Sequence, residues 1–163
     1  MKDHYNVLFL CTGNSARSIL AEGILRDKGA PRFQAYSAGS HPGGFVRPEA
    51  LAELQAARLP VMGLRSKGWE EFAKPGSPQM DFIFTVCDHA AHEVCPVWPG
   101  HPVTANWGVP DPAQVQGTPQ EVARAFRETF VQLDRRISQL LTLPVESLGK
   151  SEIQKEVDRI GKE

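Results

Sequence analysis

No apolar stretch in this chain approaches the ~18 residues that would carry it across a membrane. Positive charge is not in excess either: 18 Lys and Arg stand against 19 Asp and Glu, a net charge of −1. That balance gives no electrostatic footprint for nucleic acid or an anionic membrane, so neither is expected as a partner. Cysteine is scarce, with three in 163 residues. Three thiols are too few for a disulfide scaffold, and in a cytosolic protein they are better suited to chemistry than to stapling. Internal repeats and low-complexity tracts are missing. No leader pattern precedes the first apolar run, so a cytoplasmic location is expected. The length suits one domain spanning 1–163 with a core large enough to need no staples.

Tyr5-Asn6-Val7-Leu8-Phe9-Leu10 is an apolar run that stops at Cys11-Thr12-Gly13-Asn14-Ser15-Ala16-Arg17-Ser18, and a helical pattern follows at once. A strand–loop–helix junction directs backbone N–H groups inward and adds the positive end of the helix dipole. Such a concavity suits a tetrahedral oxyanion, with Gly13 allowing close backbone approach. The planar fork of Arg17 grips two oxygens of such an ion. The same field is expected to lower the pKa of Cys11, placing a thiolate at the floor of the cradle. The loop is not a nucleotide-binding P-loop, because it is too short and has no lysine. It also has no G-x-G-x-x-G. The plainer reading is a buried structural Cys11 with an unrelated surface Arg17.

Cys-x5-Arg-Ser near the start of the chain resembles the low-molecular-weight protein tyrosine phosphatases. That resemblance implies Cys11 as nucleophile, Arg17 as oxyanion binder and Ser18 as the donor that steadies the thiolate. It also implies Asn14 as the residue holding the loop in a strained conformation. The oxyanion would lie against residues Thr12, Gly13, Asn14, Ser15, Ala16, Arg17 and Ser18.

Strand patterns alternate with helical ones. The spacing predicts a helix over Ile19 to Lys28, ended by Gly29, and a strand over Phe33 to Ser37. Pro48 begins a second helix, which Pro60 is expected to end, and a shorter helix is expected over Ser66 to Phe72. Asp81 to Val86 reads as a buried strand and Val103 to Trp107 as a fourth. Thr118-Pro119-Gln120-Glu121 is a capping box with proline at the first helical position. The apolar series Val122, Phe126, Phe130, Leu133, Ile137 and Leu140 follows it. Ile153, Val157 and Ile160 mark a last helix at about 150–161. The alternation gives an α/β fold with a parallel sheet, and ligands of such sheets sit at the carboxyl ends of the strands. Cys11, Cys87 and Asp111 all fall there. Trp69, Trp98 and Trp107 are expected to pack.

Cys87-Asp88-His89-Ala90-Ala91-His92-Glu93-Val94-Cys95 leaves three readings open: two ordinary buried thiols, a zinc site of Cys87, His89, His92 and Cys95, or a redox pair. The zinc spacing matches no common pattern, and the redox reading accounts best for the position of Cys87 beside Cys11. The later Cys pair, Pro96-Val97-Trp98-Pro99-Gly100 and Asn106-Trp107-Gly108-Val109-Pro110-Asp111-Pro112 together resemble the thioredoxin-coupled arsenate reductases, a branch of the same phosphatase-like fold.

This resemblance runs along essentially the whole chain. It implies a four-stranded parallel sheet of order 2-1-3-4 flanked by helices, and reduction of arsenate to arsenite. Cys11, Cys87 and Cys95 would form the disulfide relay, Asp111 would be the general acid, and thioredoxin the reductant, ahead of glutaredoxin or a small thiol. The chain is expected to act as a monomer. Many relatives carry a further cysteine where Ala16 stands here. Ala113-Gln114 after Asp111-Pro112, where phosphatases proper usually place tyrosines, favours a small inorganic oxyanion. No cofactor is implied beyond a potassium ion near the loop, held through Asn14, Glu22 and Ser37. Its remaining acidic ligand would be sought in Leu64-Arg65-Ser66-Lys67, which has none. Two other functions stay open: a phosphotyrosine phosphatase, and a non-enzymatic metal or arsenite binder built on the Cys/His cluster. If residues 87–95 were helical, the two thiols would stand ~12 Å apart and a disulfide between them would require unwinding.

Overall fold

The computed structural model describes residues 3–87 and 98–163. Strand β1, Tyr5–Cys11, lies at the centre of the sheet, paired in parallel with β2, Phe33–Gly39, and with β3, Phe82–Thr85. Strand β4, Val103–Asn106, extends β3, so the order is β2-β1-β3-β4, as expected. Side chains alternate along each strand. Val7, Phe9, Phe82 and Phe84 face one layer of the core, while Leu8, Leu10 and Ile83 face the other.

The first layer is covered by helices α1, Arg17–Lys28, and α2, Pro48–Ala56. Two later helices complete that cover: α4, Pro119–Thr142, and α5, Lys150–Gly161. The second layer is thinner: α3, Glu70–Ala73, contributes Phe72, and Trp69 and Trp98 pack against the same cluster. Thr118 and Glu121 exchange the reciprocal bonds of a capping box at the start of α4. Phe126, Leu133, Ile137 and Leu140 of the apolar series are buried and Val122 and Phe130 are half-buried against the core, while the polar Thr129 and Arg136 are buried as well. Trp107 is fully buried, stacked 3.9 Å from the Phe84 ring, and its Nε1 donates to Val157 O at 3.0 Å.

Three boundaries differ from expectation. Helix α1 begins at Arg17, two residues before its first apolar position, because the loop backbone closes into the helix there. Arg58, with φ of 62°, leaves the helical region and ends α2 before Pro60 is reached. Helix α3 is only four residues because Gly68 pairs with Gly39 in a parallel bridge instead. Gly39 donates to Lys67 O at 2.9 Å and accepts from Trp69 N at 3.0 Å, so this segment runs beside the end of β2. Residues 88–97 lie outside the described residues, and with them His89, His92, Cys95 and the question of a helix between Cys87 and Cys95. No helix among the described residues is long and apolar enough to cross a membrane.

Candidate active site

Cys11 ends β1 and Arg17 opens α1, with the five loop residues between them. Four loop carbonyls are engaged by the segment after β2. Cys11 O accepts from Ser40 N at 3.2 Å, Thr12 O from His41 N at 2.9 Å, Gly13 O from Gly43 N at 3.0 Å and Ser15 O from Arg47 N at 2.9 Å. The Ser66 hydroxyl also donates to Gly13 O at 3.1 Å. A trans peptide sets its N–H opposite its C=O. Tying the carbonyls of Cys11, Thr12, Gly13 and Ser15 outward therefore turns the N–H groups of Thr12, Gly13, Asn14 and Ala16 to the other side. Residues 40–47 fall between the expected strand and the helix begun by Pro48, and in the fold they brace the 11–17 loop.

Asn14 is buried with φ of 47°, the strained conformation that the resemblance implies. Its side chain holds the turn in three directions: Nδ2 donates to Ser18 Oγ at 2.7 Å and to Ser37 Oγ at 3.0 Å, and Oδ1 accepts from Lys67 N at 2.9 Å. As an acceptor from Asn14, Ser18 keeps its own hydroxyl proton for another partner. A further glycine, Gly39, is required by a close approach between two backbones. A Cβ on Gly39 would lie 2.4 Å from Thr12 O and 3.0 Å from Asn14 N, but one on Gly13 would meet only Ser15 Oγ, at 3.6 Å.

Cys11 and Cys87 are 4% and 1% exposed, and their thiols are hydrogen-bonded to each other. Cys87 Sγ also lies 3.6 Å from Thr12 Oγ1. The bond with Cys87 and burial raise the Cys11 pKa far above its ordinary value, against the lowering pull of Arg17 and the Thr12 N–H. This reverses the expected direction. The Arg17 field is present, but the thiol of Cys87, beyond a strand 76 residues away, outweighs it.

Arg17 lies at the mouth of the loop. Its Nη2 is 3.4 Å from Asp111 Oδ2, and its Nη1 donates to Val109 O at 3.1 Å. Asp111 accepts from Ala113 N at 2.9 Å, capping the short 3-10 turn Pro112–Gln114. Two thiols, a guanidinium and a carboxylate thus converge on one end of the sheet, contributed by the end of β1, the start of α1 and the segments after β3 and β4.

The family model for low molecular weight phosphotyrosine protein phosphatases matches residues 6–158. The chain belongs to this family. Within it, the chain is 33% identical over 131 residues to an arsenate reductase of Halalkalibacterium halodurans, covering 80% of this chain and 91% of that protein. Among solved structures, an arsenate reductase from Archaeoglobus fulgidus superposes with a TM-score of 0.65 at 24% identity, covering 84% of this chain and 99% of that one. A low molecular weight protein tyrosine phosphatase from T. tengcongensis gives a TM-score of 0.67 at 22% identity, covering 88% and 99%. The two structural likenesses show the phosphatase-family fold.

Among the described residues no cluster of three His, Cys, Asp or Glu side chains forms a metal site. The zinc reading needs His89, His92 and Cys95, which lie outside them. The site's greatest departure from expectation is Lys67. It is 8% exposed, and its Nζ lies 3.5 Å from Glu22 Oε1 and 3.4 Å from Ser37 Oγ, among the residues named for potassium.

Proposed function

We propose that the protein is an arsenate reductase, a monomeric cytoplasmic enzyme regenerated by thioredoxin. The observation that carries this reading is the Cys11–Cys87 thiol pair at the floor of an oxyanion cradle. A hydrolytic phosphatase needs one thiol there, whereas a two-electron reduction needs two. The arsenate reductase relatives, similar over most of the chain, support the same choice.

In the proposed sequence the Cys11 thiolate attacks arsenic while Arg17 and the loop amides hold the oxyanion. A sulfur–arsenic bond forms, and an arsenic–oxygen bond breaks. Asp111 gives the departing oxygen its proton, so that it leaves as water. Ser18 steadies the thiolate before attack. Cys87, as thiolate, then attacks the sulfur of Cys11. A disulfide forms, the arsenic–sulfur bond breaks, and its electron pair stays on arsenic, which leaves trivalent as arsenite. The two thiols have supplied the two electrons. Cys95 attacks the Cys87 sulfur, frees Cys11 as thiolate and leaves a Cys87–Cys95 disulfide for an external dithiol.

Arsenate-dependent NADPH consumption tests this, run with thioredoxin and its reductase and repeated with glutaredoxin and glutathione. Turnover with the thioredoxin system is expected. No arsenate-dependent consumption with either system, in a protein that hydrolyses aryl phosphates, would favour the second reading. That reading is a phosphotyrosine phosphatase, and the family match together with the Cys11, Arg17 and Asp111 arrangement supports it.

A further inference from the structure

A buried carboxylate lies beneath the loop at Glu22, and its partners are all within the chain. Ser37 Oγ donates to Glu22 Oε1 at 2.5 Å, and Lys67 Nζ approaches the same oxygen at 3.5 Å. The ammonium also lies 3.4 Å from Ser37 Oγ and donates to Arg65 O at 2.9 Å. Asn14 Oδ1 is taken by the Lys67 backbone N–H at 2.9 Å, while its Nδ2 points to Ser18 and Ser37. A potassium ion at Asn14, Glu22 and Ser37 would need these oxygens turned toward it, and would meet an ammonium of its own charge. The residues as packed do not fit the ion. Two positive charges at one carboxylate repel, and Lys67 cannot swing away without losing its carbonyl partner.

We infer that Lys67 is a tethered cation that supports the oxyanion loop from below, so that this chain holds its loop without a potassium ion. Leaving Glu22 charged and unpaired in the interior would be strongly destabilising. Lys67 supplies the compensating charge from within the chain, at a local concentration that no change in salt can dilute. The same residue holds Asn14 through its backbone, so charge compensation and loop conformation depend on one position. Lys67 acts on the loop through Asn14, so it is a positioning residue, and it acts whichever oxyanion the loop holds. Burial lowers its pKa, and the charge of Glu22 opposes that lowering.

Thermal melting in matched KCl and NaCl, with calorimetric titration of inorganic phosphate, tests the inference without reference to turnover. The unmodified protein is expected to melt at the same temperature in both salts and to bind phosphate equally in both. Lys67→Met should bind phosphate roughly tenfold more weakly in either salt, as expected when one partner of a buried pair is removed. Lys67→Asp provides an oxygen ligand in place of the ammonium. It should melt several degrees higher in KCl than in NaCl, and potassium alone should restore its phosphate affinity. A potassium-specific rise in the melting temperature of the unmodified protein would overturn the inference, and that measurement needs no variant to fold. Unchanged phosphate affinity in Lys67→Met, or a Lys67→Asp protein indifferent to the choice of salt, would overturn it equally.

Discussion

Cys11 experiences two opposed influences whose separation is measurable. The hydrogen bond with Cys87 and burial hold its proton on, while Arg17 and the Thr12 N–H draw it off. Removing the first of these in Cys87→Ala should lower the Cys11 pKa and increase the thiolate at any given pH. The rate of iodoacetamide alkylation at Cys11, followed by mass spectrometry across pH, should shift to lower pH. Arg17→Ala should move it higher. A Cys87→Ala profile unchanged or moved upward would show that the second thiol does not control the first. Arg17, the loop and the helix start are all contiguous in sequence, which is why a lowered pKa could be expected from the residues alone. Cys87 reaches the same atom only through strand pairing, so its dominant effect could not. Glycine gives a second contrast at this scale. Gly39→Ala drives a methyl into the Thr12 carbonyl, between two backbones that cannot separate cheaply. The expected loss of stability is at the upper end of the ~1–3 kcal/mol typical of overpacking. Gly13→Ala should melt close to the unmodified protein.

Elements whose ends are set by their own residues were legible, while those set by a neighbour were not. Helix α4 starts where Thr118 and Glu121 cap it, and its buried face follows its apolar spacing. Strands β1 and β3 announce themselves as apolar runs interrupted by the site. By contrast, the 66–72 region has a helical look that gives way once Lys67 and Gly68 pair with Gly39. The brace at residues 40–47 has no pattern at all, because its work is done by backbone N–H groups that any residue but proline supplies. Helix α4 also carries Arg136, buried, whose Nη1 donates to the carbonyls of Trp107 and Gly108 and whose Nη2 donates to Glu163 O at 3.0 Å. It thereby anchors the start of the loop that presents Asp111. Arg136→Met keeps the bulk and removes the donors. We expect kcat for an oxyanion substrate to fall by roughly tenfold, the scale of a small misplacement of a reacting group. Phosphate affinity should fall less, because the loop amides are untouched and Arg17 is reached only through the 109–111 segment it contacts. Equal losses in kcat and in affinity would place Arg136 in the support of the whole site rather than of the acid loop.

At the scale of the molecule, the strand order places four sequence segments at one edge. Strand β1 lies between β2 and β3, so its last residue, Cys11, is flanked by the brace after β2 on one side and by Cys87 after β3 on the other. Strand β4 continues the sheet and delivers Asp111 opposite Arg17. On the proposed reading, one edge holds both a hydrolytic set, Cys11, Arg17 and Asp111, and a reductive set that adds Cys87. Replacing Cys87 by serine should separate them. Hydrolysis of an aryl phosphate needs only the first set: attack by Cys11, protonation by Asp111, then water on the phosphorus. In a folded Cys87→Ser protein that slow hydrolysis should persist within a few-fold of the original rate. Arsenate reduction needs a second sulfur to take the Cys11 sulfur and leave its electron pair on arsenic, and an alcohol cannot do this at neutral pH. Arsenate-dependent NADPH consumption with the thioredoxin system should therefore fall to background in the same preparation. Loss of both activities, with the melting temperature retained, would mean that Cys87 shapes the loop rather than supplying electrons. Retention of both would remove it from the reaction altogether.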